Sequence, residues 1–84
     1  MKRITIGTAY KLNGANQYGF TRDGKKIIIE TNEVVIKVRD NILDRLKYRN
    51  MFRIFGTFTE LDIDQSIIDR YFTEHSLFGI GERL

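Results

Sequence analysis

The stretch that decides the fold begins Arg3-Ile4-Thr5-Ile6-Gly7-Thr8-Ala9-Tyr10-Lys11-Leu12-Asn13-Gly14 and continues to Arg39. Ile4, Ile6, Tyr10 and Leu12 share one parity with Thr8, while Arg3, Thr5, Gly7, Ala9 and Lys11 share the other. Successive side chains of a strand point to opposite faces, so this spacing predicts a strand with one apolar face. Asn13-Gly14 follows, and both residues tolerate the positive φ that a two-residue type I′ hairpin requires. The chain is expected to return through Asn16, Tyr18 and Phe20 to Arg22. It turns again at Asp23-Gly24 by the same chemistry and runs on through Ile27-Ile28-Ile29. Thr31-Asn32-Glu33 is a looser turn, and Val34-Val35-Ile36-Lys37-Val38 comes back. The expectation is a four-stranded antiparallel β-meander. Its third and fourth strands are apolar at consecutive positions, which implies cover on part of their second face.

Beyond Arg39 the pattern changes period. Asp40 can cap a helix over 41–50, with Ile42, Leu43 and Leu46 as its apolar stripe and Lys47, Arg49 and Arg53 near its C-terminal end. Met51 to Thr59 reads as a fifth strand in which Phe52, Ile54 and Phe58 share a parity and Gly56 marks a bulge. Glu60, Asp62 and Asp64 supply the oxygens of a helix start. Ile63, Ile67, Ile68, Tyr71, Phe72 and His75 then recur at the spacing of an amphipathic helix over 64–76. Residues 77–84 form a tail whose Phe78, Ile80 and Leu84 could stay flexible or dock on a partner. The fold class is α+β, in the order ββββ-α-β-α: an antiparallel sheet, or a partly closed barrel, with two helices against it in one compact domain over 1–84.

Composition removes several kinds of chemistry. The 84 residues include no cysteine, so there is no disulfide framework, thiolate metal site or thiol nucleophile. His75 is the sole histidine and has no ligand or relay partners at matched spacing. The acidic run Glu60, Asp62, Asp64 and Asp69 lacks the central glycine and closing glutamate of a calcium loop, and helix capping accounts for it. No phosphate-binding loop is present. The expectation is a non-enzyme with no catalytic residues, no metal and no cofactor. No apolar run approaches about 18 residues and no leader pattern appears, which points to a cytoplasmic protein without a membrane partner.

Charge is uneven. Residues 1–53 carry twelve Lys/Arg against five Asp/Glu, a balance of +7, while residues 54–84 carry two against six, a balance of −4. Either a basic surface that could meet phosphate lies apart from an acidic one, or the two halves offset each other across the folded surface.

Asn16-Gln17-Tyr18-Gly19-Phe20-Thr21 is the most suggestive segment for function. Aromatic residues two apart on a strand share a face, and bases can stack on such a platform. With Gly7-Thr8-Ala9-Tyr10-Lys11-Leu12-Asn13 before it, the segment resembles the opening strand pair of the cold-shock domain family, whose members bind single-stranded nucleic acid. The resemblance is confined to residues 7–21. The family's second aromatic motif is missing, and Tyr10 falls one position early. It implies stacking by Tyr18 and Phe20, with Lys11, Arg22, Lys25 and Lys26 near phosphates. Packing of both rings in the core is the plainer reading. Arg45, Lys47, Arg49 and Arg53 with Tyr48 and Phe52 interleaved make a second basic-aromatic patch, with Arg45 and Arg49 on one helical face.

Two functions follow. The favoured one is a small regulator that occupies a protein partner, of the kind phages and other mobile elements use as inhibitors. This rests on the absence of catalytic groups and on a composition rich in isoleucine and lysine, with alanine only at Ala9 and Ala15. It predicts an exposed apolar patch at Phe55, Tyr48 or the tail. The alternative is a nucleic-acid-binding module with a basic, aromatic-bearing sheet face; Tyr18, Phe20, Arg22, Lys25, Lys26, Arg45, Tyr48, Arg49 and Arg53 are the residues expected to meet nucleic acid or another partner. Self-association as a homodimer is compatible with either, with the first strand as the exposed sheet edge.

Overall fold

The computed structural model describes residues 4–44 and 47–75. It is mostly β: seven strands in one antiparallel sheet and one short helix. The strands are β1 (Ala9–Leu12), β2 (Gln17–Phe20), β3 (Lys26–Ile29), β4 (Val34–Asp44), β5 (Lys47–Ile54), β6 (Glu60–Asp62) and β7 (Phe72–His75), and the helix is α1 (Gln65–Tyr71). Their order across the sheet is β3-β2-β6-β5-β4-β1-β7. The α+β mixture therefore holds in its coarse form, but the four-stranded meander does not.

Only one of the expected local pairings of that meander forms. β2 pairs with β3, with Tyr18 opposite Ile28 and Phe20 opposite Lys26. The intervening turn is not type I′, because Gly24 has φ of 86° while Asp23 stays at negative φ. Gly24 N–H donates to the Thr21 carbonyl and Thr21 N–H to the Lys25 carbonyl, which is the three-residue loop ending in a left-handed glycine. β1 does not pair with β2. At Asn13 the backbone N–H donates to the Tyr71 carbonyl (2.8 Å) and the side-chain amide to the Thr73 hydroxyl (2.8 Å), so the segment is tied to the C-terminal strand. β1 lies between β4 and β7 and is not an edge. The sheet edges are β3 and β7.

The described residues of the expected helix over 41–50, 41–44 and 47–50, are strand instead. β4 and β5 form a hairpin that runs from Val35 opposite Ile54 to Asp44 opposite Lys47. A ladder already started by buried Val35 and Ile54 extends outward strand on strand, and that cross-strand pairing overrides the helical spacing at Ile42 and Leu43; Leu46 lies outside the described residues. The hairpin outruns its neighbours: β6 pairs with β5 only at 51–53, and β1 pairs with β4 only at 34–36. The fifth strand stops at Ile54 rather than Thr59. Gly56, at φ of 88°, sits in the turn that ends it.

The expected helix over 64–76 is shorter. Asp64 caps it by accepting from Ser66 N–H (3.0 Å), and Ile68 is its buried residue. At Phe72 the backbone becomes extended, and 72–75 pairs with β1. Among the described residues no helix is long and apolar enough to cross a membrane.

One cluster forms the core: Ile4, Leu12, Ile29, Val35, Phe52, Ile54, Leu61, Ile63, Ile68 and Phe72. Both edge strands contribute to it, through Ile29 and Phe72, so the sheet is coiled around its own concave face. Its width agrees, since seven flat strands would span about 29 Å against molecular cross-dimensions of 24 × 24 Å. Gly19 makes part of this curl. A Cβ there would lie 3.1 Å from the Asp62 carbonyl oxygen and from Ile63 Cγ1, and 3.2 Å from Leu61 Cβ.

Lys37 is also inside, at 1% exposure. Its ammonium donates to the Ile4 carbonyl and pairs with Asp40. Residues three apart on a regular strand face opposite ways. Here the register shifts between Lys37 and Arg39, and this bulge returns Asp40 to the face of Lys37.

Two substitutions test this core. Gly19→Ala is expected to cost about 1–3 kcal/mol in urea unfolding, through overpacking against β6. Asp40→Ala, which removes a partner of a buried ammonium, is expected to cost about 2–4 kcal/mol by the same measurement.

Candidate interaction face

β2 alternates about Gly19. The glycine faces the crowded interior, so Tyr18 and Phe20 must face out; they are 39% and 43% exposed. Core packing of these rings is thereby overturned. They meet edge to face at 5.5 Å between centroids. From β3, Ile28 stands opposite Tyr18 at 51% exposure, and the Lys26 ammonium lies 4.4 Å over the Tyr18 ring. Arg22 and Lys25 are exposed in the adjoining turn. Tyr18, Phe20 and Ile28 thus form one apolar ridge with cations at one end.

The ridge does not continue into a basic surface. Asp62 of β6 is opposite Phe20, and Glu60 follows two residues away on the same face. Glu60 is opposite Arg53 of β5 and forms an ion pair with Arg39 at 2.6 Å. Beyond this acidic strip, the Arg53 guanidinium lies 5.7 Å from the ring centroid of Phe58, which is 90% exposed. Phe55 is exposed nearby in sequence. Opposite charges alternate across this face of the described residues.

The expected site residues therefore separate. Tyr18, Phe20, Arg22, Lys25 and Lys26 come together. Arg53 lies across the acidic strip. Tyr48 and Arg49 are carried on β5, not on a helix. Arg45, Phe78, Ile80 and Leu84 lie outside the described residues. Ile28 and Phe58 were missed. The signal for Ile28 was its parity with Lys26 across a recognisable hairpin; Phe58 carried none, because its exposure follows from the strand ending at Ile54.

Other polar groups have structural roles. Asn50, buried on β5, donates to Gln65 (2.9 Å), which donates in turn to Asp69 (2.9 Å). Burial first, and then the Glu74 and Asp69 carboxylates, push the Tyr10 phenol above its ordinary pKa. A shallow depression of about 360 Å³ is lined by Ile4, Thr5, Ile6 and Asp40. Among the described residues no three His, Asp or Glu side chains converge as a metal cage.

No family model matches the chain, and no curated protein or solved structure matches it. The cold-shock likeness of residues 7–21 does not extend to the fold, since it requires a β1–β2 hairpin and three strands separate those two here.

The turn beside the ridge has its own titration. The Thr21 hydroxyl donates to the Asp23 carboxylate and is the main cause of its lowered pKa. A depressed folded-state pKa means that the turn's stabilisation is present above the unfolded pKa and is lost as pH falls through the folded one. Thr21→Val is expected to raise the Asp23 carboxyl titration measured by NMR.

Proposed function

We propose that this protein is a non-catalytic binding protein, a regulator or inhibitor that acts by occupying the surface of a protein partner with the β2–β3 face. The observation that carries this reading is the exposed Tyr18–Phe20–Ile28 ridge bordered by charges of both signs. Protein interfaces favour aromatic residues and arginine around an apolar centre, with polar groups at the rim. Across the acidic strip, exposed Phe58 beside Arg53 adds a further apolar group.

A nucleic-acid partner is the second reading, favoured by exposed rings beside Arg22, Lys25 and Lys26. Three features favour protein over it. The two rings are perpendicular, at 82°, so they do not offer parallel planes to successive bases. Lys26 already covers one face of Tyr18. Glu60 and Asp62 would repel a phosphate chain leaving the ridge.

The test has two arms. Fluorescence anisotropy with labelled single-stranded and duplex oligonucleotides at about 50 mM salt is expected to show no binding tighter than about 10 μM. A photo-crosslinker placed at Lys25 in otherwise wild-type protein is expected to capture a defined partner in its source cell, with capture lost on Phe20→Ser. Tight, salt-dependent oligonucleotide binding that is lost with Phe20→Ser would replace this reading with the second.

A further inference from the structure

β3 is an open edge whose backbone and side chains fit a second copy of themselves. We infer that two copies of this chain pair antiparallel along β3, about a two-fold axis through Ile28. Lys26 of each copy then stands opposite Glu30 of the other. The inference does not depend on the partner proposed above.

The backbone comes first. Thr21 N–H donates to the Lys25 carbonyl, so Lys25 turns its polar groups toward β2. The pairing from Phe20–Lys26 to Gln17–Ile29 is regular, and antiparallel strands alternate in direction, so Ile27 and Ile29 also face β2. The N–H and C=O groups of Lys26 and Ile28 therefore point away from β2, on a side where no strand lies among the described residues. The open run ends at Glu30, whose N–H is held by the Glu33 carboxylate (2.7 Å) and whose carbonyl accepts from Glu33 N–H (3.0 Å). That carbonyl keeps a second lone pair for an incoming donor.

Side chains select the register. Residues opposite one another in antiparallel strands share a face. An axis through Ile28 places Ile28 against Ile28 and Lys26 against Glu30 on the outer face, with Ile27 against Ile29 on the inner one. Four N–H to C=O bonds result: two between the Ile28 residues and two from Lys26 N–H to the Glu30 carbonyl. An axis through Ile27 would leave Glu30 opposite Gly24, with no cation. Edge lysines normally guard a strand against such pairing. Lys26 does not, because its ammonium is folded back over Tyr18, leaving 51%-exposed Ile28 as the outward group. The pairing would also join the two Tyr18–Phe20 ridges into one continuous face.

A short edge contact buries less than the roughly 1,000 Å² of a stable complex, so a dissociation constant of about 0.1 mM is expected. Sedimentation equilibrium from about 10 μM to about 1 mM should show a monomer–dimer equilibrium. Ile28→Lys should weaken it by about tenfold or more, because two like charges would meet at the axis. Lys26→Glu and Glu30→Lys should each weaken it, and the double variant should return it to the wild-type value. Far-UV circular dichroism confirms that each variant is folded, and the charge swap, being on exposed side chains, keeps the test open if Ile28→Lys misfolds. A wild-type protein that stays monomeric at about 1 mM would overturn the inference. So would a dimer indifferent to Ile28→Lys, or a double variant no tighter than either single one.

Discussion

The buried ammonium of Lys37 constrains the rest of the sheet. A charge taken out of water is tolerated only when it is paired and hydrogen-bonded. Here Asp40 and the Ile4 carbonyl meet that need. Asp40 can do so only because the β4 bulge brings it to the same face. The Ile4 carbonyl can do so only because the preceding chain runs alongside β4. Gly7 N–H donates to the Lys37 carbonyl (2.8 Å) and Lys37 N–H to the Thr8 carbonyl (2.9 Å), so one residue fixes the N-terminal segment by backbone and side chain together. With β1 held against β4, its other edge is left for β7, and β2 has to find its place elsewhere.

That place is beside β6, and its geometry generates the outer face. Because Gly19 has no side chain, β2 can come close to Leu61, Asp62 and Ile63. The same alternation that buries Gly19 turns two aromatic rings to solvent. The crowded interior and the exposed ridge are thus one constraint seen from two sides. The ridge sits on strands, where ring positions are set by the sheet rather than by loop conformation.

Local chemistry was legible in the sequence, and long-range pairing was not. The β2–β3 hairpin followed from Asp23-Gly24, and the start of α1 from Asp64 with Ile67 and Ile68, because each signal and its consequence lie within a few residues. Inward placement of Leu12, Val35 and Ile54 followed from apolar character. Which strands would be neighbours did not, since nothing within Ala9–Leu12 specifies β4 and β7 as partners. Ile42, Leu43 and Leu46 fitted a helical stripe, while the conformation of Ile42 and Leu43 was determined by the ladder begun at Ile54. Nothing in Val34-Val35-Ile36-Lys37-Val38 marks Lys37 as buried, and only the bulge beside it reveals why it is inside. For the interaction face, parity showed that Tyr18 and Phe20 share a side; which side depended on the approach of β6.

The β1–β7 ladder has a kinetic meaning as well. It joins segments 60 residues apart, as in the contact between Asn13 and Thr73. Closing a flexible loop of that length costs about 3–4 kcal/mol in chain entropy before any pairing compensates. The β2–β3 and β4–β5 hairpins close much shorter loops, so they are the natural early structures, and β7 completes the sheet late. A chain organised in this way folds on the slower scale of non-local β proteins, about milliseconds to seconds. Until β7 docks, the outer edge of β1 remains open as a second unsatisfied strand.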